Sequence, residues 1–281
     1  MDERTLEYKI VTSATKKFIP GLVALRNSIQ RNFPEAELYC YYFGDWEDEL
    51  PTGVTYFKNV KMAGRCYGIG EQYREGLVLG EDMYARLMIP EQFHRGKVMY
   101  VDCDCLVLHG FQELWEIDLK QSATACVFRP DIGWKGGNVQ DFMASGTFLC
   151  DVDKWKEYKI MENSFKAMNK EGPDGERIQF SLNVESVMSY IHKGNFYHLP
   201  AIYQNLTYYG ALTNYDKIAH FAGPKPWHIP EHTFNRTFMN YETLWRAYYE
   251  NNEVQITTLT KKLPGVRRAD HFTRIKDTSI I

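Results

Sequence analysis

The stretch KVMYVDCDCLVL, residues 97 to 108, sets two aspartates one residue apart inside a markedly apolar run. It reads as a strand with apolar side chains on both faces, as expected at the centre of a parallel sheet covered on both sides. On a strand, residues i and i+2 share a face, with Cα atoms about 6.5 Å apart. Asp102 and Asp104 are therefore expected on one face, and Cys103 and Cys105 as packing on the other. Two carboxylates so placed repel each other and lose hydration, and without a cation one of them would be neutralised. The low-cost arrangement sets them at the carboxyl end of the strand around a divalent metal. Oxygen ligands suit Mn2+ or Mg2+, and ligands of open α/β sheets gather at that end. A solvated polar strand end is the other reading of so short a motif.

Upstream, KIVTSATKKFIPGLVALRNSIQRNFP reads as strand, loop and helix, with Leu22, Leu25, Ile29 and Phe33 at helical spacing and Pro34 stopping the pattern. AELYCYYFG is a second strand, so the chain opens with a βαβ unit that favours a parallel sheet. GVTYFKNV is a third strand. GEDMYARLMIPEQF reads as helical, ended or kinked by Pro90. Downstream come a short helix in FQELWEIDL, strands in SATACVF and ASGTFLCDV, and a helix over DKWKEYKIMENSFKAMNK. A further helix is expected over residues 176–193, and an aromatic one around NYETLWRAYYENN. The fold class is α/β. Residues 1–252 are expected to form a single domain and residues 253–281 a basic C-terminal tail or extension.

The 281 residues carry a net charge of −3, with 44% hydrophobic and 25% charged side chains, an ordinary globular balance. A nucleic-acid-binding chain would show a strong basic excess, so that class is disfavoured. The six cysteines form no CxxC pair and no zinc spacing, and five of them lie in four apolar, strand-like stretches. They read as small buried hydrophobes of a reducing compartment. MDERTLEYKIV offers neither an apolar signal core nor a membrane span, and a cytoplasmic location is expected. From Val254 onward, six Lys/Arg face two Asp. Such a tail suits an acidic partner or a membrane surface, or is simply a solvated end.

An apolar strand ending in DxD fits two chemistries. In a HAD-like phosphohydrolase Asp102 would be the nucleophile and Asp104 the general acid. That motif belongs near the start of a domain, and it needs a later acidic pair that this chain does not show on a strand. In a nucleotide-sugar transferase the pair holds a metal that bridges a diphosphate leaving group. HFAGPKPWH, residues 220 to 228, separates the two. Together with YARL before the DxD and LWEIDL after it, this motif resembles family 8 retaining glycosyltransferases. That group includes glycogenin, galactinol synthases and bacterial lipopolysaccharide galactosyl- and glucosyltransferases. The resemblance runs from about Ile10 to His228. It departs by one residue in HFAGPKPW, where the family has HFxGxxKPW.

The resemblance implies a GT-A, Rossmann-like nucleotide-diphospho-sugar transferase fold with a mixed central sheet. It implies a UDP-sugar donor, a saccharide or glycoconjugate acceptor, and retention at the anomeric carbon. Asp102, Asp104 and His220 would bind the metal, although a histidine in an apolar stretch is more often a satisfied core residue. Gly223 would let the backbone approach the diphosphate, and Lys225 would neutralise charge on the departing phosphate or else be an exposed loop lysine. Thr12, Ala14 and Thr15 would contact the base and Phe18 would stack on it. The family usually shows a carboxylate and a tyrosine where Thr15 and Phe18 stand. Arg86 matches the arginine near the donor sugar and phosphates, or is a surface ion-pair residue. Cys103, between the two aspartates, falls among the donor-binding positions.

The sugar half departs further. Ala144-Ser145-Gly146 stands where the family has Asn-Ala-Gly, leaving Ser145 as the donor-side candidate. Ile178-Gln179 stands for an Asp-Gln pair, with Gln179 the candidate at the reacting face and Asp174 or Glu176 as substitutes for the lost carboxylate. A third acidic contact is absent from TACVF, although Asp131 follows closely. These departures imply an uncommon donor sugar, a weakened enzyme, or a catalytically silent nucleotide-sugar-binding protein.

Overall fold

In the computed structural model the described residues are 7–45, 48–57, 60, 81–128, 143–168, 183–207, 212–223, 225–227 and 236–252. A seven-stranded mixed sheet organises them. Strand β1 (Tyr8–Ala14) leads through helix α1 (Ile19–Asn32) to β2 (Ala36–Tyr42), and the two strands pair in parallel from Tyr8↔Ala36 to Ala14↔Tyr42. Pro20 sits in the first turn of α1, where its missing N–H costs nothing. β3 (Thr55–Phe57) adds to β2 in parallel, and β4 (Lys97–Val101) adds to the other side of β1. β7 (Met143–Asp151) then pairs antiparallel with β4, and β6 (Thr124–Phe128) and β8 (Tyr197–Leu199) complete the order β3-β2-β1-β4-β7-β6-β8. β7 alone runs against the others. Its amino end therefore lies beside the carboxyl ends of β1 and β4.

Alternation along the strands splits the core into two layers. Val98, Tyr100, Phe148 and Cys150 point to the side covered by α4 (Val152–Glu157), α5 (Ile160–Met168) and α6 (Asn183–His192). Met99, Val101 and Leu149 point to the side covered by α1. Burial of each fully enclosed large side chain contributes about 1.5–3 kcal/mol. A second sheet of β5 (Cys105–Val107), β10 (Ile218–His220) and β9 (Asn205–Leu206) sits beside it, in the order β5-β10-β9. Helix α7 (Arg236–Tyr249) lies on α1, where Asn27 Nδ2 donates to the Tyr248 carbonyl at 2.8 Å. Among the described residues no helix is long and apolar enough to cross a membrane.

Three local expectations change. The stretch before Pro90 is a 3-10 turn over Glu81–Met88, and only the four residues of α2 (Ile89–Gln92) are α-helical. The long helix after β7 is two helices, because Lys159 takes a φ of +53° that ends the first. DCDC is not the end of a straight strand: β4 stops at Val101, and the Cys105 amide donates to the Asp102 carbonyl at 3.0 Å, closing a turn over residues 102–105. Mutual repulsion and hydration of the two carboxylates favour a turn here over a continued ladder. The helix over 176–193 is described from Asn183; its earlier part and the tail from residue 253 lie outside the described residues.

Candidate metal and diphosphate site

The turn after β4 is tied into both sheets. The Asp102 amide donates to the Gly146 carbonyl at the amino end of β7 (2.8 Å), and the Phe221 amide donates to the Asp104 carbonyl just past β10 (3.0 Å). β10 pairs antiparallel with β5, His220 opposite Cys105. A histidine more than a hundred residues away is thus carried to the DxD turn by strand pairing.

The two carboxylates are used asymmetrically. Asp102 Oδ1 receives Arg86 Nη2 at 2.6 Å and the Tyr100 hydroxyl at 2.9 Å. Since Tyr100 donates its one proton there, the Ser13 hydroxyl, 2.9 Å away, donates to Tyr100. Arg86 is buried, its guanidinium 4.4 Å from the centre of the Tyr100 ring, and it also donates to the carbonyls of Ser145 (2.6 Å) and Met83 (3.0 Å). It is not a surface ion-pair residue. Lys225 Nζ binds Asp104 Oδ2 and the Phe221 carbonyl (3.0 Å).

The remaining oxygens face one another across His220. Asp104 Oδ1 lies 3.2 Å from His220 Nε2, and Asp102 Oδ2 lies 3.8 Å from it. Among the described residues, Asp104 Oδ1 is buried with no partner besides this imidazole. Burial opposes the charge on Asp104, yet Lys225 and His220 outweigh it and hold the carboxyl well below the usual carboxylate range. Ligand atoms at neighbouring corners of an octahedron about 2.1 Å in radius stand about 3 Å apart. An ionised oxygen at that spacing from an imidazole nitrogen fits a divalent cation. Cys105 Sγ also falls within 4.8 Å of the Asp104 and His220 ligand atoms. Burial pushes its thiol well above its ordinary pKa, and a neutral thiol is a poor ligand for a hard cation, so Asp102 is the better third ligand.

The other sequence candidates distribute around this centre. Cys103 is in the core on the α1 side, as Val101 and Cys105 are. Its carbonyl leaves no room for a side chain at position 21, since a Cβ on Gly21 would stand 2.6 Å from it. Ser145 is buried beneath Arg86, and its amide approaches Glu185 Oε1 on α6 at 3.3 Å. Gly223 takes a φ of +94°, which favours glycine, and a Cβ there would meet nothing within 4 Å. Thr12 and Ala14 are wholly buried in β1, whereas Thr15 is half-buried at its carboxyl end. Phe18 is half-buried and meets Trp227 edge-on at 5.8 Å. Gln179, Asp131, Asp174 and Glu176 lie outside the described residues.

Sequence reasoning missed three contributors. Tyr100 is two residues before Asp102 on the same face, so period-two alternation was a signal for it. Ser13, across the sheet, and Gln204, whose Nε2 lies 3.0 Å from His220 Nδ1, gave no local sign.

Comparison with known proteins agrees with this geometry. The model of the family Glycosyl transferase family 8 matches residues 9–230. General stress protein A of Bacillus subtilis is 26% identical over 186 residues, 56% of this chain and 63% of that protein. Glycogenin of Komagataella phaffii is 26% identical over 168 residues, 52% of this chain and 38% of that protein. The matched stretch thus spans less than two thirds of either relative. The galactosyltransferase LgtC, solved in complex with donor and acceptor sugar analogs, superposes with a TM-score of 0.64 at 17% identity, over 91% of this chain and 100% of that one. GlyE of Streptococcus pneumoniae, solved in its apo form, superposes with a TM-score of 0.61 at 17% identity, over 91% of this chain and 62% of that one. At such identity these likenesses concern the fold, which is the GT-A arrangement.

Proposed function

The chain belongs to glycosyl transferase family 8, and we propose that it is a retaining, metal-dependent glycosyltransferase moving a sugar from a UDP-sugar to a saccharide or glycoconjugate acceptor. The observation that carries this is that one oxygen of Asp104 and one of Asp102 lie 3.2 Å and 3.8 Å from His220 Nε2. These three side chains would hold Mn2+ or Mg2+, which when bound supplies positive charge against a diphosphate leaving group. Burial raises the Asp102 pKa and Arg86 opposes that rise, while holding one Asp102 oxygen so that the second is left toward His220. Lys225, on the outer oxygen of Asp104, stands where it can move onto phosphate as negative charge accumulates. Gly223 beside it exposes backbone without a side chain in the way. Retention lets the departing phosphate take the acceptor's proton on the same face, so no separate enzyme base is needed. Gln179 is assigned to the reacting face on the family resemblance, and Ser145 to the donor sugar. The basic tail is assigned no role in transfer.

The test is a panel of nucleotide sugars, with and without Mn2+, read first by thermal shift and then by transfer to saccharide acceptors. Asp104→Ala is expected to lower the transfer rate about a thousandfold or more, roughly 4 kcal/mol of transition-state stabilisation. Near-normal transfer by that variant would sink the assignment. UDP-sugar binding without turnover by the wild type would point instead to a silent binding protein.

A further inference from the structure

We propose that Gln204 is the positioning residue that accepts the His220 Nδ1 proton and so supports the tautomer whose Nε2 is open to a divalent cation; this rests on the metal-dependent reading above. Gln204 follows a 3-10 turn (Ala201–Tyr203), directly precedes β9 and is 4% exposed. Its amide is caught between two buried side chains. Nε2 lies 3.0 Å from His220 Nδ1, and Oε1 lies 3.0 Å from Thr147 Oγ1, which is itself 3.0 Å from the Tyr203 carbonyl oxygen.

For the neutral imidazole, the form that can ligate, the proton count allows two arrangements. In the first, the amide donates to His220 Nδ1. That nitrogen then holds a lone pair, and the ring proton sits on Nε2, where it blocks a cation. In the second, the amide is turned half a revolution about its Cγ–Cδ bond, exchanging two ends of nearly equal size. Oε1 now accepts from His220 Nδ1–H, Nε2 donates to Thr147 Oγ1, and Thr147 gives its single proton to the Tyr203 carbonyl. His220 Nε2 is then bare and faces Asp104 Oδ1 and Asp102 Oδ2. The heavy atoms keep their places, and only protons and one amide turn. A cation at Nε2 is compatible with the second arrangement alone, so binding selects it.

The surroundings leave the pair no other freedom. A Cβ on Gly146 would stand 2.4 Å from His220 Cε1, 2.7 Å from its Nδ1 and 2.7 Å from Gln204 Nε2. Imidazole and amide are therefore packed directly on the backbone of β7, and the ring cannot turn away to find a different acceptor. Hydrogen-bond partners behind a ligating histidine typically govern about 10- to 100-fold in metal affinity.

The experiment is calorimetric titration of the full chain with MnCl2 alone, paired with 15N NMR of histidine-labelled protein in Mg2+ to read which ring nitrogen carries the proton. Gln204→Leu is expected to weaken Mn2+ binding by about 10- to 100-fold. Gln204→Glu, which can only accept from Nδ1–H, is expected to bind Mn2+ at least as tightly as the wild type. The Mg2+ form of the wild type is expected to show His220 protonated on Nδ1. Wild-type affinity in Gln204→Leu, or equal weakening in Gln204→Glu and Gln204→Leu, would overturn the assignment of Gln204 while leaving the metal site standing. If Gln204→Leu does not fold, the NMR decides: a His220 Nδ1 without a proton in the Mg2+ form overturns the inference. Absence of Mn2+ binding by the wild type would overturn the metal reading itself, and this inference with it.

Discussion

Lowering the pH from 7 to 5 is expected to destabilise the fold through His192, at the end of α6. His192 is 5% exposed, with Nδ1 2.9 Å from the Met188 carbonyl and Nε2 2.7 Å from Thr124 Oγ1. Trp155 Nε1 donates to the same Thr124 oxygen at 2.8 Å. The carbonyl can only accept, so Nδ1 carries the proton, and Nε2 accepts the Thr124 hydroxyl. A second ring proton would displace that hydroxyl from its acceptor. Burial lowers the pKa from 6.5 to about 4, against a smaller opposing pull from the Met188 carbonyl. The folded pKa is thus depressed, so the unfolded chain takes up the proton first, and stability falls as pH drops from about 6.5 toward 4. A gap of about 2.5 units corresponds to about 3 kcal/mol in full, of which about 2 kcal/mol is lost between pH 7 and pH 5. The assay is urea unfolding of the wild type and His192→Gln at pH 7, 6 and 5. Other titrating groups contribute to both proteins and cancel in the difference. The wild type should lose about 2 kcal/mol more than the variant across this range. Equal pH slopes would refute the reasoning, whatever the stabilities at pH 7.

Two further variants probe the site's scaffold. Arg86→Met removes a buried cation from Asp102 and takes its guanidinium from the Ser145 and Met83 carbonyls. Because Asp102 keeps 22% of its side chain exposed, the cost is set at the low end for a broken buried pair, about 3 kcal/mol or a Tm fall of roughly 6–12 °C. A melting temperature equal to the wild type's in differential scanning calorimetry would contradict this. Gly146→Ala drives a methyl group into the Gln204 amide and the rigid imidazole of His220, whose Cε1 would stand 2.4 Å from it. It is expected to destabilise by about 1–3 kcal/mol and to weaken Mn2+ binding in calorimetric titration. Unchanged affinity would show that His220 does not depend on its seat against β7.

Much of the architecture was legible from local signals. The continuous apolar run in KVMYV, the helical spacing of Leu22, Leu25 and Ile29, and Pro34 at the helix end each act within a few residues. The pairing of β7 against β4 was not legible, because nothing local sets the direction of a strand. Nor was the broken helix at Lys159, where the φ of +53° falls on a residue with no turn signature. The site divides in the same way. Asp102, Asp104 and His220 carry chemistry that few other contexts require, so type and order were enough to select them. Gln204, Thr147 and Ser13 are ordinary polar residues whose roles exist only after β7, β10 and β1 are assembled. Of the donor-sugar candidates, Ser145 is described and sits under Arg86, whereas Gln179 lies outside the described residues.

The turn at the DxD changes the physical account of the two aspartates. On a straight strand they would stand side by side, each equally open to water and to a cation. In the turn, Asp102 gives one oxygen to Arg86 and Tyr100, and Asp104 gives one to Lys225. Each carboxylate is thereby fixed in rotation and left with a single inward oxygen, and both inward oxygens lie near His220 Nε2. The flanking cations offset the cost of holding two charges in a buried site before any metal arrives. They also set the order of events when a diphosphate approaches. Arg86 is held by two carbonyls as well as by Asp102 and is packed on an aromatic ring, so it stays in place. Among the described residues, Lys225 holds Asp104 and the Phe221 carbonyl, at the end of a long flexible stem. On the function proposed above, Lys225 is the one of the two that would be free to exchange its carboxylate for phosphate.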